Sequence, residues 1–288
     1  LKIKGGRRLR GVRYTLPMPS AQVKSALLLA GLWAEGETRV VEPVATRDHT
    51  ERMLSALGVD MSSDAGEVCL KPAQSLRAAP IEVPRDLSWA TLFMLVASLS
   101  PGADLLLKGV GINPSRAGAL RVLERMGAVI TLSEQHLQAG EPVADIHVKA
   151  GRPLSAVTVD LSDLATASDE VPLLLVAAAC AVGHSRFTGL DGLRRKEEDP
   201  VAQTAQLLQQ LGVRLELDND RIEVTGGCIE GGEIMLNGQI RVAMAALAAG
   251  LCGENTLKIG GGGCLLAACP DLIELMQRLG LNVHKEEG

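Results

Sequence analysis

Aromatic side chains are almost absent. Two Trp, one Tyr and two Phe make up 2% of the 288 residues, so large rings cannot carry the core. Ala, Leu, Val and Gly must fill it, and an apolar content of 47% supplies enough of them. Small side chains of this kind let helices approach closely, which suits a compact repeated packing unit. The chain also lacks a dominant charge. Lys and Arg number 29 against 34 Asp and Glu, a net charge of −5 with the two signs interspersed. That balance argues against nucleic acid as a partner, since such binders cluster Lys and Arg on one face. One local basic run, Lys2, Lys4, Arg7, Arg8, Arg10 and Arg13, reads as the solvated face of a hairpin.

Long apolar runs are missing too. The longest, Val171 to Val182, is well short of the ~20 residues that cross a bilayer, so no membrane partner is expected. No secretory leader is expected either. Metal-ligand spacing is absent: Cys69, Cys180, Cys228, Cys252, Cys264 and Cys269 form no C-x-x-C, and Cys264 and Cys269 have no His nearby. Reduced, mostly buried thiols of a cytoplasmic protein are expected, with no metal.

What is present is repetition. Gly36, Gly102, Gly183 and Gly253 each follow a small, apolar, helix-like stretch and precede a strand-like one. A second glycine follows in Leu57-Gly58-Val59, Met126-Gly127-Ala128, Leu211-Gly212-Val213 and Leu279-Gly280-Leu281, each closing an amphipathic helix. Glycine suits a helix C-terminus because it takes a left-handed conformation without a Cβ penalty. The unit is strand, helix, strand, helix and usually a hairpin, in four copies at about 1–77, 78–150, 151–227 and 228–288. The first helices are apolar on all sides, which predicts burial. Their caps are expected at Ser20, at Asp86 or Ser88, at Ser168 or Asp169, and at Asn237, with Gly36 ending the first helix. The second helices, such as Asp48–Leu57 and Val201–Leu211, mix charge with Leu or Met and should face solvent. The fold class is α/β, built from repeated βαβαββ units in a closed assembly rather than a solenoid.

One stretch carries more. Pro17 and Pro19 end an extended run, Ser20 is a good N-cap, and Ala21, Gln22 and Lys24 enter a helix whose free N–H groups attract anions. The longer string Ser20-Ala21-Gln22-Val23-Lys24-Ser25-Ala26, then Gly36-Glu37-Thr38, then Arg47-Asp48-His49-Thr50-Glu51-Arg52 closely resembles the 5-enolpyruvylshikimate-3-phosphate (EPSP) synthase family. Its Ser-Ala-Gln form is similar to the class II, glyphosate-tolerant members. The resemblance implies two inside-out α/β barrel-type domains of three βαβαββ units each around buried parallel helices, with a substrate cleft between them. This chain would hold four of the six units: residues 1–77 as the last unit of the first domain, and 78–288 as the whole second domain.

The same resemblance implies a chemistry. The family moves an enolpyruvyl group from phosphoenolpyruvate to shikimate 3-phosphate through a tetrahedral intermediate, with no cofactor. Two anionic substrates call for Arg and Lys, and proton transfer calls for carboxylates. By motif, Ser20, Ala21, Gln22, Arg47, Asp169 and Lys196 would bind shikimate 3-phosphate. Asp169 and Glu197 would be the catalytic proton-transfer groups, and Arg241 would bind phosphoenolpyruvate. Read without the resemblance, Ser20 and Asp169 are ordinary caps and Arg194 to Asp199 is a solvated loop.

The sequence also departs from the pattern. Pro200 stands where the family's Arg-Val-Lys-Glu-Ser/Thr-Asp-Arg motif closes with arginine. Gln239-Ile240-Arg241 replaces Asp-His-Arg, Leu266 to Pro270 replaces a polar segment before Phe-Pro, and the Gly260–Gly263 run reads as a turn. The family's Asp-Lys-Ser and Gly-Asn-Ser/Ala-Gly segments, which supply much of the phosphoenolpyruvate pocket, have no counterpart in these 288 residues. The expectation is a family member inactive as this isolated chain, with self-association or a complementing N-terminal segment as candidate partners; one alternative is a non-catalytic fragment or binding module derived from such an enzyme. A relative of the UDP-N-acetylglucosamine enolpyruvyl transferases is the alternative, disfavoured by the Ser-Ala-Gln and Arg-Asp-His-Thr-Glu strings.

Overall fold

The structure is a computed structural model and describes residues 5–6, 8–72, 75–194 and 199–286. Its first repeat runs β1 (Leu9–Arg10), β2 (Arg13–Thr15), α1 (Ala21–Gly31), β3 (Ala34–Glu35), β4 (Thr38–Val41), α2 (His49–Ala56), β5 (Met61–Asp64) and β6 (Glu67–Leu70). β2 lies parallel to β4, β4 antiparallel to β6, and β6 antiparallel to β5. β1 and β3 form a separate parallel pair.

The second repeat opens with Arg85, a parallel bridge to Val110 standing where a first strand would be. It continues α3 (Leu87–Leu99), β7 (Asp104–Gly111), α4 (Gly118–Arg125), β8 (Val129–Gln138) and β9 (Glu141–Lys149), in sheet order β7-β9-β8. The third runs β10 (Thr158–Val159), α5 (Leu161–Ala167), α6 (Val171–Ala179), β11 (His184–Thr188), α7 (Asp191–Arg194), α8 (Pro200–Gln210), β12 (Arg214–Leu217) and β13 (Arg221–Thr225). Its sheet order, β10-β11-β13-β12, copies β2-β4-β6-β5 of the first. The fourth holds β14 (Gly232–Met235), α9 (Ile240–Cys252), β15 (Leu257–Gly260), α10 (Gly263–Ala268) and α11 (Leu272–Arg278), with β14 parallel to β15. Among the described residues it lacks the closing hairpin of the other three.

The local chemistry explains this regularity. Gly58, Gly127, Gly212 and Gly280 all take the left-handed conformation, at φ +88, +95, +81 and +81, so each second helix stops where its glycine stands. Two hairpins turn on the same dipeptide: Ala65-Gly66 joins β5 to β6 and Ala139-Gly140 joins β8 to β9, all four residues with positive φ. A two-residue turn of that kind matches the right-handed twist of its strands.

Five local expectations need correction. Helix α1 ends at Gly31 and not at Gly36, which serves a turn after β3 at φ +91. The reason is packing: a Cβ at Gly31 would come within 2.8 Å of Leu70 and Thr38 side-chain atoms, so the glycine seats the helix against its sheet. Gly253 caps α9 in an extended conformation, φ −78. Helix α6 is capped at Glu170, with Pro172 in its first turn, because Ser168 already ends α5. Helix α9 is capped at Gln239, while the Asn237 amide donates to Gln203 Oε1 at 2.9 Å. The second helices are only half solvent-facing, since α8 buries Val201, Ala205, Leu207 and Leu208.

By contacts the chain forms two units. Unit 1 is 1–84 with 111–115 and 134–144; unit 2 is 85–110, 116–133 and 145–288. The core of unit 1 gathers Leu16, Leu28, Val40, Leu54, Val59, Val68 and Leu70. In unit 2 the apolar helices α3, α6 and α9 pack on one another, and every residue of α6 is buried. No helix among the described residues is long and apolar enough to cross a membrane.

Candidate functional site

In unit 1 the Ser20 hydroxyl accepts from Val23 N at 3.3 Å and caps α1. The first turn of α1 contains no acidic residue, so its free amides and dipole remain available to an anion. Ala21 and Gln22 form that turn. Arg47 precedes α2, half-buried in the loop that leads to it.

Lys24 ties these two segments together. It is 1% exposed and donates from Nζ to Glu42 Oε2 at 3.0 Å and to Glu51 Oε1 at 2.6 Å. Glu42 in turn accepts from Thr46 N and Oγ1, at 3.2 and 2.5 Å, immediately before Arg47. Ser25 and Thr50 hydroxyls meet at 2.6 Å. Lys24, Leu28 and Gly31 form the buried stripe of the helix. In the sequence Lys24 is a helix former within the Ser20–Ala26 string; its place in the buried stripe is the signal for a buried ion pair.

Asp48 is the N-cap residue of α2 but makes no side-chain cap. Its carboxylate accepts from Arg52 Nε and Asn113 Nδ2, both at 2.8 Å. Burial pushes Asp48 up, yet these two hydrogen bonds together with the charge of Arg52 and a backbone hydrogen bond leave the group below the usual aspartate value. Asn113 also donates to Glu141 Oε2 at 2.9 Å, and His49 Nδ1 lies 2.7 Å from Glu141 Oε1. Thus the Arg47–Arg52 string is braced by two segments of the second repeat.

In unit 2 the N-termini of α3, α6 and α9 converge on Asp169. Arg116 Nη1 donates to Asp169 Oδ2 at 2.6 Å, and Arg241 Nη2 lies 2.7 Å from Asp169 Oδ1. The sequence-predicted proton-transfer carboxylate and the sequence-predicted phosphoenolpyruvate arginine are therefore in direct contact. Arg116 Nη2 also donates to Ser88 Oγ at 2.9 Å and Glu170 Oε1 at 3.1 Å. Burial lowers the affinity of Arg116 for its proton, but Glu170 and Asp169 more than restore it. Sequence reasoning offered Ser88 only as a helix cap and picked out neither Arg116 nor Glu170. Arg116 stands in Gly111-Ile112-Asn113-Pro114-Ser115-Arg116-Ala117-Gly118, a stretch similar to a turn of the family, and that likeness was the available signal.

Lys196 and Glu197 lie outside the described residues. Pro200 occupies the first turn of α8 behind its Asp199 cap, which accepts from Ala202 N at 2.9 Å. The glycine run ends β15 and opens α10. Among the described residues no group of three or more His, Cys, Asp or Glu is arranged to hold a metal.

Comparisons with known proteins agree with one another. The family profile for EPSP synthase (3-phosphoshikimate 1-carboxyvinyltransferase) matches residues 1–276. The 3-phosphoshikimate 1-carboxyvinyltransferase of Methylococcus capsulatus is 41% identical over 284 residues, 99% of this chain and 65% of that protein. The Halorhodospira halophila protein of the same name is 43% identical over 285 residues, 99% of this chain and 64% of that protein. An EPSP synthase structure from Acinetobacter baumannii superposes with a TM-score of 0.92 at 41% identity, covering 98% of this chain and 65% of that one. An enolpyruvyl transferase from Streptomyces tendae shares the fold, at a TM-score of 0.72 and 21% identity over 89% of this chain and 58% of that one. The chain spans 64 to 65% of the length of these two curated relatives. On the profile match across nearly its whole length, the chain belongs to the EPSP synthase family.

Proposed function

We propose that this chain binds shikimate 3-phosphate as part of a 3-phosphoshikimate 1-carboxyvinyltransferase and does not turn over by itself. Residues 1–77 serve as the last unit of the family's first domain and 78–288 as its second. Ser20, Ala21, Gln22, Arg47 and Lys196 hold shikimate 3-phosphate, Asp169 takes its ring hydroxyls, and Arg241 receives the carboxylate or phosphate of phosphoenolpyruvate. Asp169 and Glu197 move protons while the acceptor oxygen bonds to the enolpyruvyl carbon and, in the second half of the reaction, phosphate leaves. Guanidinium and amide groups fixed before the reaction stabilise the charge of the tetrahedral intermediate.

The observation that carries this reading is the Asp169–Arg241 contact at 2.7 Å at the meeting of three helix N-termini. The lack of turnover is supported by Pro200 in place of a motif arginine. Losing one such donor costs about two to three orders of magnitude in rate. Val23, Leu29 and Trp33 are exposed on or just after α1, Trp33 at 71%, which supports a covering polypeptide there, either a second copy or a complementing N-terminal segment.

Calorimetry with shikimate 3-phosphate and with UDP-N-acetylglucosamine tests the acceptor: preference for the nucleotide sugar defeats the reading. Phosphate release from shikimate 3-phosphate plus phosphoenolpyruvate is expected only when an N-terminal half is supplied, and turnover by the chain alone defeats the inactivity. Light scattering distinguishes the second copy from the complementing segment.

A further inference from the structure

We infer that Arg116 is a positioning residue for Asp169: its guanidinium, rooted on Glu170 and Ser88, fixes the direction in which the Asp169 carboxylate meets substrate hydroxyls. The inference rests on the function proposed above and assigns a role to a residue that has none in the sequence analysis.

The two arginines on Asp169 are unlike. Arg116 is 14% exposed and spreads its fork over several partners. Nη1 takes Asp169 Oδ2 at 2.6 Å, while Nη2 takes Ser88 Oγ at 2.9 Å and Glu170 Oε1 at 3.1 Å, with Asp86 Oδ1 at 3.6 Å. The anchor is itself firm: Ser88 Oγ donates onward to Glu170 Oε1 at 2.5 Å, and the Glu170 side chain is 1% exposed. A buried carboxylate keeps its guanidinium in place, because separating them would strand a charge away from water. Arg241 is 39% exposed and reaches Asp169 Oδ1 from the first turn of α9.

This asymmetry divides the labour. When an anion draws Arg241 from Oδ1, Oδ2 stays bound to Arg116, so an incoming hydroxyl meets a carboxylate whose direction is already set. The carboxylate therefore does not rotate to follow the departing arginine. The geometry also requires arginine: one nitrogen reaches Asp169 while the other reaches Ser88 and Glu170, a planar fork that a single ammonium cannot span.

The test uses calorimetry on the full chain with two ligands, shikimate 3-phosphate and cyclohexyl phosphate, which has the phosphate but no ring hydroxyls. Arg116→Lys keeps a positive charge near Glu170 and loses the fork. It is expected to weaken shikimate 3-phosphate binding about tenfold or more and to leave cyclohexyl phosphate unchanged. In an Asp169→Asn background the same substitution is expected to have no further effect, the mark of residues acting as one unit. Should Arg116→Lys fail to fold, Arg116→Met combined with Glu170→Gln removes the buried charge together with its partner and takes the same measurements. Equal loss for both ligands, or a full loss persisting in Asp169→Asn, means Arg116 acts only structurally and overturns the inference. If the unsubstituted chain does not prefer shikimate 3-phosphate over cyclohexyl phosphate, the proposed function falls and this inference falls with it.

Discussion

Helices α1 and α6 hold the same place in their repeats and are both rich in Leu, Ala and Val, yet they end in different surroundings. Helix α6 buries all nine of its residues. Helix α1 buries only Lys24, Leu28 and Gly31 of eleven, and Leu29 is 41% exposed. In unit 2 three apolar helices cover one another; in unit 1 helix α1 has its own sheet and the start of α2. Apolarity on every side thus tells that a helix is built for burial and leaves open what buries it. The one polar residue in α1's buried stripe, Lys24, then becomes the main tie of the exposed repeat.

That comparison can be broken hardest at Lys24. Lys24→Met leaves Glu42 and Glu51 without their shared cation, and stability is expected to fall by about 3–5 kcal/mol. Urea unfolding followed by far-UV circular dichroism reads it, and adding Glu51→Gln should recover part of the loss. An unchanged midpoint would mean the triad contributes nothing net. Next comes Leu174→Ala in α6, where a fully buried leucine should cost about 2–5 kcal/mol. The same change at Leu29 in α1 should cost under about 0.5 kcal/mol, as exposed sites do. Equal costs at the two leucines would erase the difference between the helices.

The smallest effect is in acid. Asp48 is held below its ordinary value by Arg52 and Asn113, so the folded state binds fewer protons at this site than the unfolded chain does. Its contribution is full above the unfolded value of about 3.9 and is lost as pH falls through the lower folded value. Asp48→Asn should flatten that part of the acid limb in a denaturation series, and a curve unchanged below about pH 4 would show that the group is not linked to folding.

What could be read from the sequence followed the range of the interactions. Repeat order, the second set of glycines and the Ser20 cap are local, set by residues within a turn of one another. The Asp169 and Arg241 assignments came from motif likeness, and their contact supports the pairing. The partners of Arg116 lie 28 and 53 positions away, and Asn113 sits 65 from Asp48. Such contacts form only after the elements pack, and no local pattern announces them. Composition misled at α1 for the same reason, and the caps at Glu170 and Gln239 were missed because better-looking caps nearby were occupied elsewhere.

The bracing of Asp48, His49 and Arg52 by residues of the second repeat also governs how the molecule is made. Unit 1 takes in segments 111–115 and 134–144, so a ribosome that has delivered residue 84 has not yet delivered the pieces that close it. At about 5–20 residues per second, the first repeat waits several seconds in a partly finished state with α1 uncovered. A nascent chain stalled just past residue 84 should therefore be cut readily by protease around the Arg47–Arg52 string, and one stalled well beyond residue 144 should resist.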